Sequence, residues 1–392
     1  MKEKVDVKQW QEWVYGESNG LERLAIGEDA LDQLAHFVVA KGYGRIVLIS
    51  DQKIDEVTGI NEAVKTQLQK QGKAVAVKLI TAKQNGDVIA DEAAVVEALL
   101  AITGHQADVV IAVGAGTIHD IVRYAAFASK IPFISVPTAP SVDGFTSKGA
   151  PLIIQGQKIT IAAIGPTALF ADINVLVAAP RAMIAAGFGD MLGKYTSLLD
   201  WKFGHLRYGE PYDQQVADKT KVALLACVLE VSAIAAGEKK AIQLLLEALL
   251  LSGFAMLQFG HSHSASGAEH HLSHSWEMAY LEATKNQLLH GAKVGVACTL
   301  ISELYHKLIT DEQTSALSKE DRAVLTSLVA SLPTQHQLEQ LLQQVGGPAT
   351  VEQLGIDKSI LENSLRTAHE IRPNRYTVLR IKRTGENKGI SE

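Results

Sequence analysis

The chain has 392 residues, 47% apolar and 20% charged, a balance typical of a folded globular protein long enough for two domains. The formal net charge is −6 and the pI about 6.1, so the sequence lacks the basic character of most nucleic-acid-binding proteins. Two cysteines, Cys227 and Cys298, are too few for a zinc site made of cysteines. Both lie in apolar helical segments, which favours buried free thiols in a reducing compartment.

The N-terminal residues 1–6 are charged and lack the apolar core of a signal peptide, so we expect a cytoplasmic protein. The most apolar segment runs over residues 241–259, but Glu247, Ser252 and Gln258 interrupt it. A membrane-spanning helix needs about 20 largely uninterrupted apolar residues. We therefore expect a buried helix of a helical domain, and no insertion into a membrane.

Up to about residue 175, short apolar and β-branched segments alternate with segments of helical spacing. The predicted strands are 45–50, 73–79, 108–113 and 132–136, and the clearest predicted helices are 91–102 and 118–128. This alternation predicts βαβ units and a parallel sheet. Residues 153–161 predict a hairpin that turns at Gly156.

Beyond Pro180 the pattern is almost wholly helical and rich in alanine and leucine. The sequence thus predicts an α/β domain over residues 1–175 and an all-helical domain over residues 176–392. The polar tail, residues 383–392, is expected to fray.

A glycine-rich segment, Val113 to Asp120, follows an apolar strand and opens a helix. Its small residues let the backbone approach a phosphate, and the helix N-terminus supplies free N–H groups. The third glycine of G-x-G-x-x-G is missing, so an ordinary turn is the alternative. Asp51 follows the first strong strand, where it can accept hydrogen bonds from a ribose diol and disfavour a 2′-phosphate, or cap a helix.

A second polar loop, residues 136–147, also follows a predicted parallel strand, at the edge where open α/β sheets bind ligands. Its polar side chains are Thr138, Ser141, Asp143, Thr146 and Ser147. One or two of them can serve structural turns, but the density favours a binding site.

Six of the thirteen histidines lie between His261 and His290. His270 and His274 are four residues apart and share one helix face, whereas His271 points elsewhere and Glu269 is expected to have a supporting role. Asp190, in the segment Gly187 to Lys194, offers a carboxylate. Imidazoles with a carboxylate indicate a metal-dependent enzyme.

Five motifs in this order resemble the iron-containing alcohol dehydrogenase and dehydroquinate synthase superfamily, and within it the bacterial branch of the sn-glycerol-1-phosphate dehydrogenases. The motifs are Gly-Ala-Gly-Thr-Ile-His-Asp, Pro-Thr-Ala-Pro-Ser-Val-Asp-Gly, Gly-Phe-Gly-Asp-Met-Leu-Gly-Lys, Ala-Ser-Gly-Ala-Glu-His and Leu-His-Gly. Each motif is weak alone, but together they cover nearly the whole chain.

The resemblance implies an α/β nucleotide-binding domain with a parallel sheet, an all-helical metal-binding domain, and an active site in the cleft between them. It implies the reversible, metal-dependent reduction of dihydroxyacetone phosphate to sn-glycerol 1-phosphate, a step of phospholipid metabolism. The implied cofactors are NAD(H), with NADP(H) as the alternative, and one divalent Zn or Ni ion. The implied assembly is a homodimer or larger homo-oligomer.

The resemblance also assigns residues. The implied metal ligands are Asp190, His270 and His290. The implied catalytic residues are Asp190 and His274, and the substrate contacts are Asp143, Asp190 and His274. The implied nucleotide contacts are Asp51, Gly116, Thr117, Ile118, His119, Asp120, Thr138, Ala139, Pro140, Ser141 and Ser147.

Other functions stay open at this stage. A polyol dehydrogenase acting on free glycerol can use the same scaffold. A dehydroquinate synthase-like lyase is less compatible, because its members typically have a glutamate at the position of Asp190 and more basic residues. A nucleotide-binding regulatory protein with an inactive metal site is disfavoured by the three filled ligand positions.

The group that binds the substrate phosphate is not assigned by the resemblance. The candidates are Lys194, His261 and His263, and many relatives have an arginine near position 263.

Overall fold

The computed structural model describes residues 7–310, 317–372 and 375–380. The charged N-terminus, residues 1–6, and the tail expected to fray, residues 383–392, lie outside the described residues.

Within the described residues there are eight strands. They are β1 (Arg23–Gly27), β2 (Arg45–Asp51), β3 (Ala74–Ile80), β4 (Val109–Gly114), β5 (Phe133–Pro137), β6 (Gly149–Ile154), β7 (Gln157–Ala162) and β8 (Ala168–Asp172).

The same residues form eighteen α-helices. They are α1 (Val7–Tyr15), α2 (Ala30–Ala40), α3 (Gln52–Thr58), α4 (Ile60–Lys70), α5 (Glu92–His105), α6 (Gly116–Ser129), α7 (Ile173–Val177), α8 (Arg181–Leu192), α9 (Lys194–Tyr208), α10 (Gln214–Leu229), α11 (Val231–Ala236), α12 (Lys239–Phe259), α13 (Ala268–Glu282), α14 (His290–Thr310), α15 (Lys319–Val329), α16 (Gln335–Gln344), α17 (Val351–Leu354) and α18 (Lys358–Thr367).

The chain forms two compact units. The first consists of Met1–Ile184 and Gly237–Phe254, and the second of Ala185–Ala236 and Ala255–Glu392.

A six-stranded parallel sheet is the framework of the first unit, in the order β1-β8-β5-β4-β2-β3. The side chains of β2 alternate between the two faces: Val47 and Ile49 pack in one apolar core, and Ile46 and Leu48 in the other. The sheet is therefore covered on both faces, as parallel sheets require. The predicted parallel sheet is confirmed.

The predicted hairpin is also present as the antiparallel pair β6–β7, with Gln155 and Gly156 at its turn. Two strands, β1 and β8, were not expected from the sequence. They pair with each other at one edge of the sheet, and β8 also pairs with β5.

The apolar helix α12 is the one described helix whose length and composition suit a membrane span, and 67% of its 18-residue apolar window is buried within the protein. A buried core helix was expected. It was expected in the helical domain, however, whereas residues 237–254 belong to the first unit. Glu247, one of the polar residues that interrupt the helix, is bound to the first unit. It accepts hydrogen bonds from Trp10 Nε1 (2.7 Å) and the Tyr15 hydroxyl (2.5 Å), both in α1.

The second unit is helical throughout its described residues, as predicted beyond Pro180. Its largest apolar core contains Phe203, Leu272, Trp276, Ile301 and Tyr305, contributed by α9, α13 and α14. These three helices also carry or support the histidines that the sequence singled out.

Candidate metal centre and nucleotide-binding loops

Asp190, His270 and His290 come together in the second unit. One ligand atom from each lies within 4.8 Å of the other two, and the His270 and His290 rings are 5.2 Å apart. Asp190 is fully buried, His270 nearly so, and His290 is half-buried. One carboxylate oxygen and two imidazole nitrogens suit a divalent transition metal and leave coordination positions for other ligands.

Close backbone packing explains why these residues meet. A Cβ atom on Gly291 would lie 1.8 Å from the Ala186 carbonyl oxygen, and one on Gly189 would lie 2.4 Å from the Gly291 carbonyl oxygen. Only glycine permits this approach of α8 to α14. The glycines beside Asp190 and His290 in the sequence motifs thus bring the two ligands together.

Glu269 fixes the orientation of His270. Its Oε1 atom accepts a hydrogen bond from His270 Nδ1 at 2.8 Å, which leaves Nε2 directed toward Asp190 Oδ1, 3.9 Å away. Burial favours a raised pKa for Glu269, but hydrogen bonds from His270, Thr196 and Gly267 outweigh it and lower the pKa to about 2. The ionised carboxylate therefore holds His270 in the tautomer that a metal ligand needs.

Lys194 is a buried partner of Asp190. Its Nζ atom donates to Asp190 Oδ1 at 3.0 Å and to the Ala265 carbonyl at 3.3 Å, and its side chain is completely buried. The lysine thus compensates the buried carboxylate and ties it to the segment before α13. Lys194 was a candidate for the group that binds the substrate phosphate, but these two contacts already engage its ammonium group.

His274 lies one helical turn beyond His270, as the spacing predicted. Its ring centroid is 6.3 Å from those of both His270 and His290, so the three imidazoles form a triangle. One turn farther, Lys293 of α14 and Glu277 of α13 form an ion pair of 3.1 Å. This pair joins the two helices that carry the histidines.

Asp200 was not identified from the sequence, but it anchors the start of α13. It accepts hydrogen bonds from Ala268 N (2.9 Å), the Tyr305 hydroxyl (2.6 Å) and Val378 N (2.9 Å). Burial and the nearby charge of Glu269 raise its pKa to about 7. No local sequence signal distinguishes it, since its partners are 68 to 178 residues away.

The two predicted nucleotide loops adjoin in the first unit. Strand β4 lies between β2 and β5, and Gly114 is opposite Pro137 in the register. From β2 the chain continues to β3 in one direction across the sheet. From β4 it continues to β5 in the opposite direction. Asp51 and the glycine-rich loop therefore lie at a topological switch point, where sheets of this kind bind ligands.

Helix α6 begins at Gly116 without a side-chain cap. Its N-cap residue is Ala115, which has no side-chain acceptor, and the first turn contains no acidic residue. By contrast, α3 and α5 are capped by Asp51 and Asp91. The first-turn N–H groups of α6 are thus suited to an anionic ligand.

Two residues predicted as nucleotide contacts have structural partners. His119 is fully buried, and its ring nitrogens contact the Ala115 carbonyl (2.9 Å) and Ser135 Oγ (2.7 Å). Burial lowers the pKa of His119 to about 3, so the ring is neutral. Asp51 Oδ1 accepts from Ile54 N at 2.9 Å, which is the helix-cap role considered as the alternative.

The polar loop after β5 is held from two sides. Ser252 of α12 donates to Asp143 Oδ2 at 2.9 Å, and a Cβ on Gly253 would lie 2.8 Å from the Asp143 carbonyl. From the other side, the buried Arg123 donates to Asp120 (2.5 Å) and to the Gly144 carbonyl (2.6 Å). Arg123 and Ser252, both missed from the sequence, connect Asp120 and Asp143 to the framework.

The remaining predicted contacts lie in this loop and in the first turn of α6. Thr138, Ala139, Pro140 and Ser141 are buried, and Ser147 Oγ accepts from Gly149 N at 2.9 Å in a local turn. Gly116, Thr117 and Ile118 form the first turn of α6. Their roles toward a nucleotide stay predictions.

The chain is similar to known proteins. Residues 25–180 match the family described as iron-containing alcohol dehydrogenase. Over 372 residues the chain is 46% identical to the glycerol-1-phosphate dehydrogenase (NAD(P)+) of Geobacillus stearothermophilus, covering 92% of this chain and 91% of that protein. The chain belongs to the glycerol-1-phosphate dehydrogenase family. The Bacillus subtilis member is 44% identical over 370 residues, covering 94% of this chain and 92% of its own.

The fold extends to more distant proteins. A probable glycerol dehydrogenase from Sinorhizobium meliloti superposes with a TM-score of 0.68, covering 94% of this chain and 96% of its own, at 17% identity. At that identity the likeness concerns the fold alone. It agrees with the predicted combination of an α/β domain and a helical domain.

Proposed function

We propose that this member of the glycerol-1-phosphate dehydrogenase family reduces dihydroxyacetone phosphate to sn-glycerol 1-phosphate, reversibly, with NAD(P)H. The observation that carries the proposal is the Asp190, His270 and His290 cluster in a chain 46% identical to a relative of that name. The proposed nucleotide-binding and metal-binding domains are residues 1–175 and 176–392.

The donor set fits a divalent Zn or Ni ion. Asp190 would provide an oxygen, His270 the Nε2 atom left free by its bond to Glu269, and His290 another imidazole. When bound, the cation supplies Lewis-acid polarisation of the substrate carbonyl, and the nicotinamide supplies the hydride. Imidazole and carboxylate ligands do not discriminate between Zn and Ni.

The protein's own groups supply orientation and a proton. We assign Asp190 and His274 as catalytic residues: Asp190 belongs to the ligand set, and His274 lies beside it without being a ligand. His274 orients a substrate hydroxyl or passes a proton to the substrate oxygen. Asp143, fixed by Ser252, is assigned to a substrate hydroxyl.

The nucleotide is assigned to the switch point of the first unit. The uncapped first turn of α6 suits its pyrophosphate, and Asp51 suits a ribose diol through the carboxylate oxygen that does not cap α3. A carboxylate there favours NAD(H) over NADP(H). The contacts assigned beyond these are His119, Asp120, Thr138, Ala139, Pro140, Ser141 and Ser147.

Three further assignments rest on the sequence. A cytoplasmic location is a prediction from the residue pattern, whereas a homodimeric or larger assembly and a place in phospholipid metabolism follow from the resemblance alone. Light scattering of the purified protein measures the assembly directly.

The initial rate with dihydroxyacetone phosphate and NADH, before and after prolonged chelation, tests the function. Chelation should abolish the rate, and Zn²⁺ or Ni²⁺ should restore it. Each of D190A, H270A and H290A should lose metal and nearly all turnover, whereas H336A on the exposed face of α16 should keep both. Full activity of metal-free protein contradicts the proposal.

A further inference from the structure

The segment between α12 and α13, residues 260–267, is held by its backbone carbonyls. Ser197 donates to the Ser264 carbonyl at 2.8 Å, Lys194 to that of Ala265, and Arg375 to that of His263 at 3.2 Å. The segment is therefore rigid just before the helix that carries His270 and His274. Rigid backbone with free side chains is a suitable base for a binding site.

Arg372 reaches the hydroxyl groups of this segment. Its Nη1 atom donates to Ser262 Oγ at 3.1 Å and to Ser266 Oγ at 2.9 Å. Among the described residues no carboxylate forms an ion pair with Arg372, whereas the nearby Arg375 is paired with Glu210 at 2.7 Å. Burial and then the positive charge of Arg375 lower the pKa of the Arg372 guanidinium, and the negative charge of Glu269 opposes them.

His271 is a polar group of α13 whose ring lacks a hydrogen-bond partner among the described residues. The side chain is fully buried. Buried polar groups normally have partners, and a half-buried guanidinium without an ion pair is suited to an anion.

We propose that Arg372, with the hydroxyls of Ser262 and Ser266, binds the phosphate group of the triose phosphate substrate. The proposal rests on the proposed function and names the phosphate subsite within it. A guanidinium fork matches two phosphate oxygens, and the hydroxyls orient it.

The position of the subsite agrees with this ligand. Lys194 contacts both Asp190 and the Ala265 carbonyl, so one ammonium group separates the candidate metal ligand from the segment that carries Ser266. The phosphate subsite and the carbonyl-binding position are thus neighbours within one unit.

The candidates from the sequence fit less well. Lys194 is engaged with Asp190, and His261 is exposed. Burial, and then the charge of Arg375, lowers the pKa of His263 to about 3, so His263 is neutral. Its ring packs against Phe259 and Trp201. Arg372 comes from a segment about 110 residues farther along the chain.

The test compares R372M and R372K with R366M, an exposed arginine on α18. The measured quantity is the ratio of kcat/KM for dihydroxyacetone phosphate to kcat/KM for unphosphorylated dihydroxyacetone. Because a hydrogen-bonded charge pair is lost, R372M should lower this ratio roughly 10- to 100-fold. R372K should lower it less, R366M not at all, and metal content should not change.

The assignment is wrong if R372M lowers kcat/KM equally for both substrates, or if its only effect is on the KM for NADPH. The S262A/S266A double variant provides an independent check that keeps the guanidinium, and it should lower the same ratio. Titration of wild-type protein with inorganic phosphate, monitored by calorimetry, separates this proposal from the proposed function. Phosphate binding that R372M abolishes supports the anion site even if the enzyme does not reduce dihydroxyacetone phosphate.

Discussion

Glu269 and His270 are adjacent in sequence, yet their side chains form a hydrogen bond of 2.8 Å between Oε1 and Nδ1. The same carboxylate accepts from Thr196 Oγ1 at 2.6 Å and from Gly267 N at 2.6 Å. A single acidic side chain therefore sets the tautomer of a candidate metal ligand and fixes the start of α13. Partners of this kind tune metal affinity without touching the metal.

Replacing Glu269 by glutamine should weaken metal binding roughly 10- to 100-fold, because the neutral amide is a poorer acceptor for His270 Nδ1. The dissociation constant for Zn²⁺, measured by competition with a chromogenic chelator, checks this. E282Q, at the exposed end of the same helix, is the control and should bind metal as the wild type does. Unchanged affinity in E269Q argues against the orienting role.

Replacing Asp51 by serine should narrow or reverse the preference for NADH over NADPH, chiefly through KM. Serine keeps the N-cap of α3 but removes the charge that repels a 2′-phosphate. D91S, which alters the equivalent cap of α5, is the matched control and should leave the preference unchanged. A wild-type enzyme that strongly prefers NADPH shows that Asp51 does not face the ribose.

Replacing His274 by alanine should lower kcat/KM for dihydroxyacetone phosphate roughly 100-fold or more, since a group that relays a proton is lost. Metal content should stay normal, because His274 is not a ligand in this account. S275A, on the next residue of α13, serves as control. If H274A loses the metal as H270A does, His274 belongs to the ligand set.

The buried neutral His119 should make the protein less stable in acid. Its pKa in the folded state is about 3, below its ordinary value of 6.5, so its contribution to stability is complete above pH 6.5 and falls as the pH drops toward 3. H119Q should reduce this dependence by on the order of 1 kcal/mol per pH unit. Urea unfolding at pH 7.5, 6.0 and 5.0 measures it, with the exposed H336Q as control. If the free energy of unfolding depends on pH in the same way for H119Q and wild type, the prediction is wrong.

Much of the first unit could be predicted because its central strands are long, apolar and β-branched. β1 and β8 were missed, since each mixes Ala and Leu with a polar end residue and lacks clear periodicity. They become strands by pairing with each other and with β5, a contact that no local pattern records.

The candidate metal ligands could be predicted from the resemblance, and the common helix face of His270 and His274 from their local spacing. Their supporting residues could not. Asp200 and Arg372 have partners more than 60 residues away, and nothing in their local sequence indicates these contacts. Asp51 shows the opposite problem, because a strand-end aspartate has the same sequence signal whether it caps a helix or binds a ribose.

Chiral analysis of the product from dihydroxyacetone phosphate and NADH tests the central claim most directly. A site with one fixed arrangement exposes a single face of the carbonyl carbon to the hydride, and the family resemblance assigns that face to the 1-phosphate product. We expect sn-glycerol 1-phosphate as the product. Formation of sn-glycerol 3-phosphate, or faster turnover of unphosphorylated dihydroxyacetone, would contradict it and favour a polyol dehydrogenase.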